Sequence, residues 1–170
     1  MNKTLLACLA ALLLSPSAAI AGKSKDAKTA VVLPTPKTGK GQIVFFRPGG
    51  MGSAIKCTIR EKGAMVGRVG ANRYYVIDAE PGVHTFTAKS EATDAVTVQV
   101  EPDETTFVKC KIAMGMMVGR PNLSPATEID FATTKKVEPM DVAKIAAEIA
   151  KDQQEKAAAA ATGVTPNASK

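Results

Sequence analysis

Short apolar runs separated by turn-forming residues constrain this chain more than any other feature of its sequence. Between residues 41 and 132 the runs are about five to eight residues long, and Gly, Pro, Asn and Asp separate them. Val96, Val98 and Val100 alternate most clearly, with the period of a strand that buries one face. Short strands at this spacing predict an all-β domain, an antiparallel β-sandwich of about seven to eight strands, over residues 41–132.

The strand pattern gives bounds for each predicted strand and leaves no helix inside this region. The predicted strands span residues 42–47, 54–60, 64–69, 73–78, 83–89, 94–100, 105–112 and 127–131. The sequence Pro48-Gly49-Gly50-Met51-Gly52 follows the first strand and lacks the Gly-Lys-Ser/Thr ending of a phosphate-binding loop. It is interpreted as a flexible loop.

The C-terminal region, residues 133–162, has a different texture and predicts a helix. Pro139 is placed at the first helical position, where its missing N–H is tolerated. Val142, Ile145 and Ile149 recur at helical spacing, but the apolar stripe is narrow. The helix is therefore expected either to dock loosely on the sandwich or to stand free. Residues 163–170 are interpreted as a disordered tail.

The N-terminus has the pattern of a cleavable signal peptide over residues 1–21. Lys3 supplies the positive charge, residues 5–14 form an uncharged apolar run, and Ala19 and Ala21 fit the small-residue cleavage pattern. The apolar run is about half the length that a membrane span requires, which makes a retained anchor the weaker alternative. The chain is therefore expected to be periplasmic or secreted, with no transmembrane segment once the signal is removed.

Cys8 leaves one alternative open, because Leu5-Leu6-Ala7-Cys8 resembles the lipidation motif of bacterial lipoproteins. The apolar stretch before Cys8 is too short for an ordinary signal peptide. Lipidation at this cysteine is therefore the less favoured interpretation.

The net charge of +6 does not indicate a nucleic-acid-binding domain. Half of it lies in residues 22–39, whereas residues 40–132 carry a net charge of only +1. A nucleic-acid-binding surface would concentrate Lys and Arg on the folded domain, often with aromatic side chains. Residues 22–40 are instead interpreted as a basic linker that serves as a solvated tether. Weak affinity of its lysines for anionic surfaces is the less favoured alternative.

Cys57 and Cys110 are the two cysteines that remain after the predicted signal peptide. Each shares a strand face with apolar residues, so both are expected to point into the core. Export to an oxidising compartment favours a disulfide between them. Their spacing does not match the Cys-x-x-Cys arrangement of redox-active pairs.

His84 is the only histidine of the chain, and the sequence predicts no metal site and no cofactor. One histidine cannot form a histidine-rich metal site, and acid–base catalysis would need a nucleophile and an orienting carboxylate beside it. A structural or turn-capping role is the main interpretation. The alternative is a pocket for a small ligand or substrate in which His84 converges with Asp78 and Arg120.

A methionine-rich stretch between two predicted strands is the strongest functional lead. Met114, Met116 and Met117 are followed by Arg120, and glycines and Pro121 interrupt the stretch. Methionine is flexible and polarizable, so it fills gaps in cores and also serves adaptable binding surfaces. Both alternatives, core packing and a binding surface, are compatible with the sequence.

Three motifs resemble a family of small exported bacterial domains of unknown function, many of them lipoproteins. Gly-Gln-Ile-Val-Phe-Phe-Arg-Pro at 41–48 is similar to the opening of that family, and residues 78–86, with Pro81-Gly82 before His84, to its central motif. Residues 117–120, with Leu123, resemble its C-terminal segment, and PEGA-type modules share the Pro-Gly turn. The resemblance covers residues 41–132 and implies an exported β-sandwich but no particular activity.

These observations together favour a non-enzymatic exported module that binds a protein or a cell-envelope component. The residues expected to contribute to binding are Met114, Met116, Met117, Arg120 and His84. The alternative function is a small-ligand carrier or an enzyme that uses a pocket near His84.

Overall fold

The computed structural model describes residues 31–90, 92–116 and 119–162. The predicted signal peptide, with Cys8, Ala19 and Ala21, therefore lies outside the described residues. The same holds for Met117 and for the predicted tail at 163–170.

Nine strands of the described residues form two sheets, which confirms the predicted β-sandwich. The strands are β1 (Gly41–Arg47), β2 (Cys57–Glu61), β3 (Ala64–Val69), β4 (Arg73–Ala79), β5 (Gly82–Lys89), β6 (Thr93–Val100), β7 (Thr105–Ala113), β8 (Arg120–Ala126) and β9 (Glu138–Pro139). One sheet has the order β8-β7-β1-β4-β9 and the other the order β3-β2-β5-β6. Most neighbours are antiparallel, but β1 and β7 are parallel, as are β4 and β9.

The main hydrophobic core lies between the two sheets. The ring of Phe45 packs against Tyr75 and Phe86, with ring centroids 5.2 and 4.9 Å apart. The three valines of the alternating run in β6 are all buried, as their period-2 spacing predicts. At one margin of the sandwich β6 and β8 meet, where the backbone N–H of Leu123 donates to the Asp94 carboxylate over 2.5 Å.

A disulfide joins Cys57 and Cys110, as the sequence predicts. Cys57 lies in β2 and Cys110 in β7, so the bond links the two sheets across the core, and both residues are buried. Their Cα atoms are 6.6 Å apart, within the usual range for a disulfide. Because disulfides persist in oxidising environments, the bond indicates that the domain belongs to such a compartment.

The outer face of the five-stranded sheet carries a second apolar cluster, and a short helix covers it. The helix α1 (Glu128–Thr133) places Phe131 against Phe46 and Tyr74, with ring centroids 5.3 and 5.2 Å apart. This cluster explains why all seven residues of β1 are buried, since the strand is covered on both faces.

The predicted strand at 127–131 is therefore wrong, and a capping box explains the helix found there. The Thr127 hydroxyl accepts from the Asp130 backbone N–H over 3.1 Å, and the Asp130 carboxylate accepts from the Thr127 N–H over 3.0 Å. These two bonds satisfy backbone donors that a helix start leaves open. The expectation that the sandwich region contains no helix is wrong for the same reason.

The strand β8 occupies residues that the sequence assigned to a connection. Its prolines, Pro121 and Pro125, argue against a central strand, but β8 lies at the edge of its sheet and pairs only with β7. Proline is tolerated at such an edge because its missing N–H breaks no ladder bond on the free side.

The C-terminal helix α2 (Val142–Ala161) begins later than predicted and docks on the sandwich. Asp141 caps its start by accepting from the Ala143 N–H over 2.9 Å, whereas Pro139, expected at the first helical position, lies in β9. Ile145 is buried and Ile149 is half-buried against the core, so the helix does not stand free. Neither helix of the described residues is long and apolar enough to cross a membrane.

The described part of the predicted linker, residues 31–40, lies against the sandwich and is not a solvated tether. The carbonyl of Pro34 accepts from the Gln42 amide over 2.8 Å, and the Gly39 N–H donates to Asp103 over 2.9 Å. Leu33 packs against the outer apolar cluster. Contacts between this segment and the sandwich therefore extend from Leu33 onward.

Candidate functional site

Two loops meet at one end of the sandwich because of the parallel pairing of β1 with β7. Both strands run in the same direction, so the loop after β1, residues 48–56, and the segment after β7, of which the structure describes residues 114–116 and 119, leave the sheet at the same end. The second loop returns directly into β8, in which Arg120 pairs with Ala113.

The two loops pack together through isoleucine side chains at two glycines. A Cβ atom placed on Gly52 would lie 2.8 Å from Cγ2 of Ile112. A Cβ atom placed on Gly119 would lie 2.6 Å from the same methyl group and 2.6 Å from Cδ1 of Ile55. All three separations are shorter than ordinary Cβ contacts, so a residue larger than glycine at either position would require the isoleucine side chains to shift.

Arg47, the last residue of β1, holds the backbone of the first loop from inside the protein. Its side chain is only 1% exposed. One guanidinium nitrogen donates to the carbonyl of Ile55, and the other donates to the carbonyls of Gly52 over 2.7 Å and of Met51 over 3.4 Å. Burial lowers the pKa of the Arg47 guanidinium from its ordinary value. No carboxylate among the described residues forms an ion pair with it, so these backbone carbonyls stabilise its charge.

Three methionines protrude from these loops, and we call this group, Met51, Met114 and Met116, the methionine tip. Their side chains are 64%, 78% and 91% exposed, whereas Met65 is buried in the core. Core packing, one of the two sequence-based interpretations, therefore does not hold for Met114 and Met116. Exposed methionines on supported loops are instead suited to binding.

The base of the methionine tip contains a small cavity and carries positive charge. The cavity has a volume of about 160 Å³, and its lining consists of Arg47, Pro48, Gly49, Met51, Lys111 and Ile112. Lys111 and Arg120 are both exposed at this end of the sandwich. The tip thus combines an apolar projection with a cationic base.

His84 lies toward the opposite end, and groups of the protein engage both of its ring nitrogens. Nδ1 is 2.7 Å from a carboxylate oxygen of Glu61, and Nε2 is 2.8 Å from the backbone carbonyl of Glu80. The imidazole also stacks on Phe86, with centroids 6.0 Å apart. These contacts fit the structural role that the sequence favoured for this histidine.

The structure does not bring together the three residues of the alternative pocket. Asp78 forms an ion pair with Lys37 over 2.5 Å, near the start of β1. His84 is close to that end as well, because β5 begins beside the end of β6, which contacts Gly41. Arg120 lies at the other end, beside the methionine tip.

The helix α2 is attached by a second polar cluster, centred on Asp152. Arg60 donates to both carboxylate oxygens of Asp152, one of them over 2.8 Å, and Lys156 lies 3.7 Å from the same carboxylate. The hydrogen bond from Arg60 is the main cause that holds the pKa of Asp152 below its ordinary value. The Asp152–Lys156 pair, four residues apart on α2, is the smaller part of this cluster.

No group of three or more His, Cys, Asp or Glu side chains among the described residues is placed to hold a metal ion. Two larger cavities, of about 610 and 430 Å³, lie beside the 33–36 segment and beside the start of α2. Neither of them contains His84 or a methionine of the tip.

Comparisons with protein-family models, with curated proteins and with solved structures found no match for this chain. The candidate site therefore rests on the geometry of its own residues. Sequence reasoning found Met114, Met116 and Arg120 but missed Arg47 and Met51. The Arg-Pro-Gly-Gly-Met run at 47–51 was the available signal, and its importance depends on a pairing between distant strands.

Proposed function

We propose that this chain is an exported, non-enzymatic module that binds another exported or cell-envelope protein through the methionine tip. The observation that carries the proposal is the exposure of three methionines on two loops that Arg47 and the Gly52–Ile112 contact hold in place. Exposed apolar side chains grouped in this way mark interaction sites more often than solitary ones do.

The chemistry of the methionine tip favours an apolar protein segment flanked by acidic residues. Methionine side chains adapt their shape to an apolar partner with little steric conflict. Lys111 and Arg120 place positive charge beside them, and complementary charge on the partner would orient it and speed its association.

Export is supported by three features of the chain. The disulfide between Cys57 and Cys110 indicates an oxidising compartment. Residues 1–21 have the pattern of a cleavable signal peptide, and the motifs between 41 and 123 resemble those of small exported domains. Together they favour a periplasmic or secreted protein.

Photo-crosslinking in living cells tests the proposal. A photoreactive residue replaces Met116 in one strain and Val83 in another, because Val83 is an apolar side chain, 70% exposed, toward the opposite end of the sandwich. The proposal expects a discrete protein adduct from position 116 and none from position 83.

A second variant shows whether that adduct depends on the whole methionine tip. Met51→Glu, combined with the probe at 116, should remove the adduct while the unfolding transition of the protein stays unchanged. Equal adducts from positions 116 and 83, or an adduct that survives Met51→Glu, would overturn the proposal.

A further inference from the structure

We propose that the cavity beside the 33–36 segment binds a linear polyamine, an organic cation in which methylene chains join two or more ammonium groups. The cavity has a volume of about 610 Å³, which lies within the range of small-molecule sites. It contains no residue of the methionine tip, so the inference does not depend on the proposed protein partner. An acidic lining and a buried hydrogen-bond acceptor carry the argument.

The floor of this cavity is the outer face of the five-stranded sheet. Gln42 of β1 pairs with Thr105 of β7. Phe107, two residues further along β7, pairs with Ala126 at the end of β8. Alternate residues of a strand share a face and paired residues lie side by side, so these four side chains form one continuous patch. All four line the cavity.

Two segments form the sides of the cavity, and hydrogen bonds hold each of them in place. The 33–36 segment is attached through the carbonyl of Pro34, which accepts from the Gln42 amide over 2.8 Å. On the other side, the capping bonds between Thr127 and Asp130 fix the start of α1 and thereby the position of Glu128. The cavity is therefore built from fixed parts of the fold.

The lining of the cavity is acidic, which favours a cationic ligand. It carries the carboxylates of Glu104 and Glu128, and the lining residues, all of them in the described part of the chain, include no Lys, Arg or His. Neither carboxylate forms an ion pair or a hydrogen bond with any described residue. Because the chain as a whole has a net charge of +6, a cation is attracted here only by this local group of acidic side chains.

Gln42 supplies a second, independent observation, a buried acceptor. Gln42 is only 2% exposed, and its Nε2 donates to the Pro34 carbonyl over 2.8 Å and to the Thr105 hydroxyl over 2.7 Å. A backbone carbonyl can only accept, so the atom beside Pro34 is the amide nitrogen and both of its hydrogens are used. No described residue donates to the remaining Oε1, although buried acceptors are nearly always satisfied. A ligand with N–H groups satisfies this oxygen, whereas an anion does not.

A linear polyamine matches both the polar and the apolar parts of this lining. Its ammonium groups pair with Glu104 and Glu128 and donate to Oε1 of Gln42, and its methylene chain lies against Leu33 and Phe107. The apolar part of the lining favours an organic cation over a metal ion, which would gain nothing from it. The presence of two carboxylates favours a ligand with more than one ammonium group.

An NMR titration with spermidine tests the site. The purified chain is labelled with ¹³C at its alanine and leucine methyl groups. The methyl signals of Leu33 and Ala126 should shift together and saturate at one equivalent, whereas those of Leu123 and Ala88, which are buried in the main core, should stay in place. The monoamine 1-aminohexane should bind about tenfold more weakly, because it can pair with only one carboxylate.

Glutamine variants remove one charge at a time from exposed side chains and leave the fold in place. Glu104→Gln and Glu128→Gln should each weaken spermidine binding about tenfold, and each should reduce the advantage of spermidine over 1-aminohexane. Glu101→Gln is the matched control, because Glu101 is an exposed carboxylate of the same turn that does not line the cavity. Crosslinking from position 116 should be unchanged in all three variants, so the two proposals fail separately.

Three results would overturn the polyamine site. They are methyl shifts that grow without saturation, no shift at Leu33 and Ala126, and a loss of affinity in Glu101→Gln as large as in Glu104→Gln. A tetralysine peptide that shifts the Leu33 and Ala126 signals when spermidine does not would also contradict the proposal. That outcome would assign the cavity to a basic segment of a protein.

Discussion

Arg47 shows how a single buried side chain determines the shape of a functional loop. Its guanidinium is charged and lies out of water, and the carbonyls of Ile55 and Gly52 replace the lost hydration. A lysine could not reach both carbonyls in this forked geometry, because its donors share one nitrogen atom. The loop that carries Met51 therefore depends on arginine at this position.

Replacing Arg47 should destabilise the protein more than replacing any exposed basic residue. Arg47→Met leaves the loop carbonyls without donors, and we expect the free energy of unfolding to fall by about 2–4 kcal/mol. Urea denaturation followed by circular dichroism measures it, with Lys89→Gln, an exposed residue in β5, as the control. A loss below about 0.5 kcal/mol, the range of ordinary surface substitutions, would show that the carbonyl contacts do not stabilise the loop.

Gly119→Ala tests the contact between the two loops. The added methyl group would overlap the side chains of Ile112 and Ile55, and overpacking of this kind costs about 1–3 kcal/mol. Gly70→Ala is the matched control, because a Cβ there meets nothing closer than 3.9 Å. If both variants unfold at the same urea concentration as the parent, the loops do not pack as described.

At the scale of elements, the sequence places most strands to within one residue. The bounds of β3 match the prediction, and those of β6, whose buried and exposed residues alternate, and of β1, which is buried on both faces, each differ from it by one residue. The segment at 127–131 has a similar apolar spacing, but the hydrogen bonds between Thr127 and Asp130 start a helix there. Local capping thus outweighs a weak alternation.

Two of the three residues of the methionine tip could be predicted from the sequence. The third could not, because its position depends on the pairing of two distant strands. Met114 and Met116 stand out in the sequence because glycines surround them. Met51 joins them only through the parallel pairing of β1 with β7, strands separated by more than 50 residues. Such non-local pairing leaves no periodic pattern, so neither Arg47 nor Met51 could be linked to the tip beforehand.

The attachment of α2 should depend on pH through Asp152. Because Arg60 lowers the pKa of Asp152 in the folded state, the stabilisation is present above the unfolded pKa of about 3.9. It is lost as the pH falls through the lower folded value. Asp152→Asn should reduce the free energy of unfolding by about 1–3 kcal/mol at pH 7, the range for a hydrogen bond to a charged group.

Urea denaturation at pH 7 and pH 3 measures this dependence. The difference between the parent and Asp152→Asn should shrink at pH 3, where protonation weakens the pair in the parent. Glu155→Gln is the control on the same helix, because Glu155 and Lys151 form an exposed pair, 3.8 Å apart, of the kind that contributes little. A difference that is equally large at both pH values would mean that the charge of Asp152 does not hold the helix.

At the scale of the whole molecule, the disulfide joins the two sheets that carry α2 and the methionine tip. β2 belongs to the sheet that α2 contacts, and β7 belongs to the sheet that supports the methionine tip. The bond links residues 53 positions apart, and closing a loop of that length stabilises the folded state by about 4 kcal/mol in the chain-entropy model.

Removing the disulfide should therefore lower the stability of the entire sandwich rather than of one loop. In the variant Cys57→Ala/Cys110→Ala, we expect a single unfolding transition shifted by about 4 kcal/mol, and dithiothreitol should have no further effect on it. The reduced parent should unfold near the same urea concentration as this variant. If instead reduction changed only the signals of the methionine tip and left the global transition in place, the bond would fix the tip locally. The two sheets would then be held together by the core formed around Phe45 and Phe86 without its help.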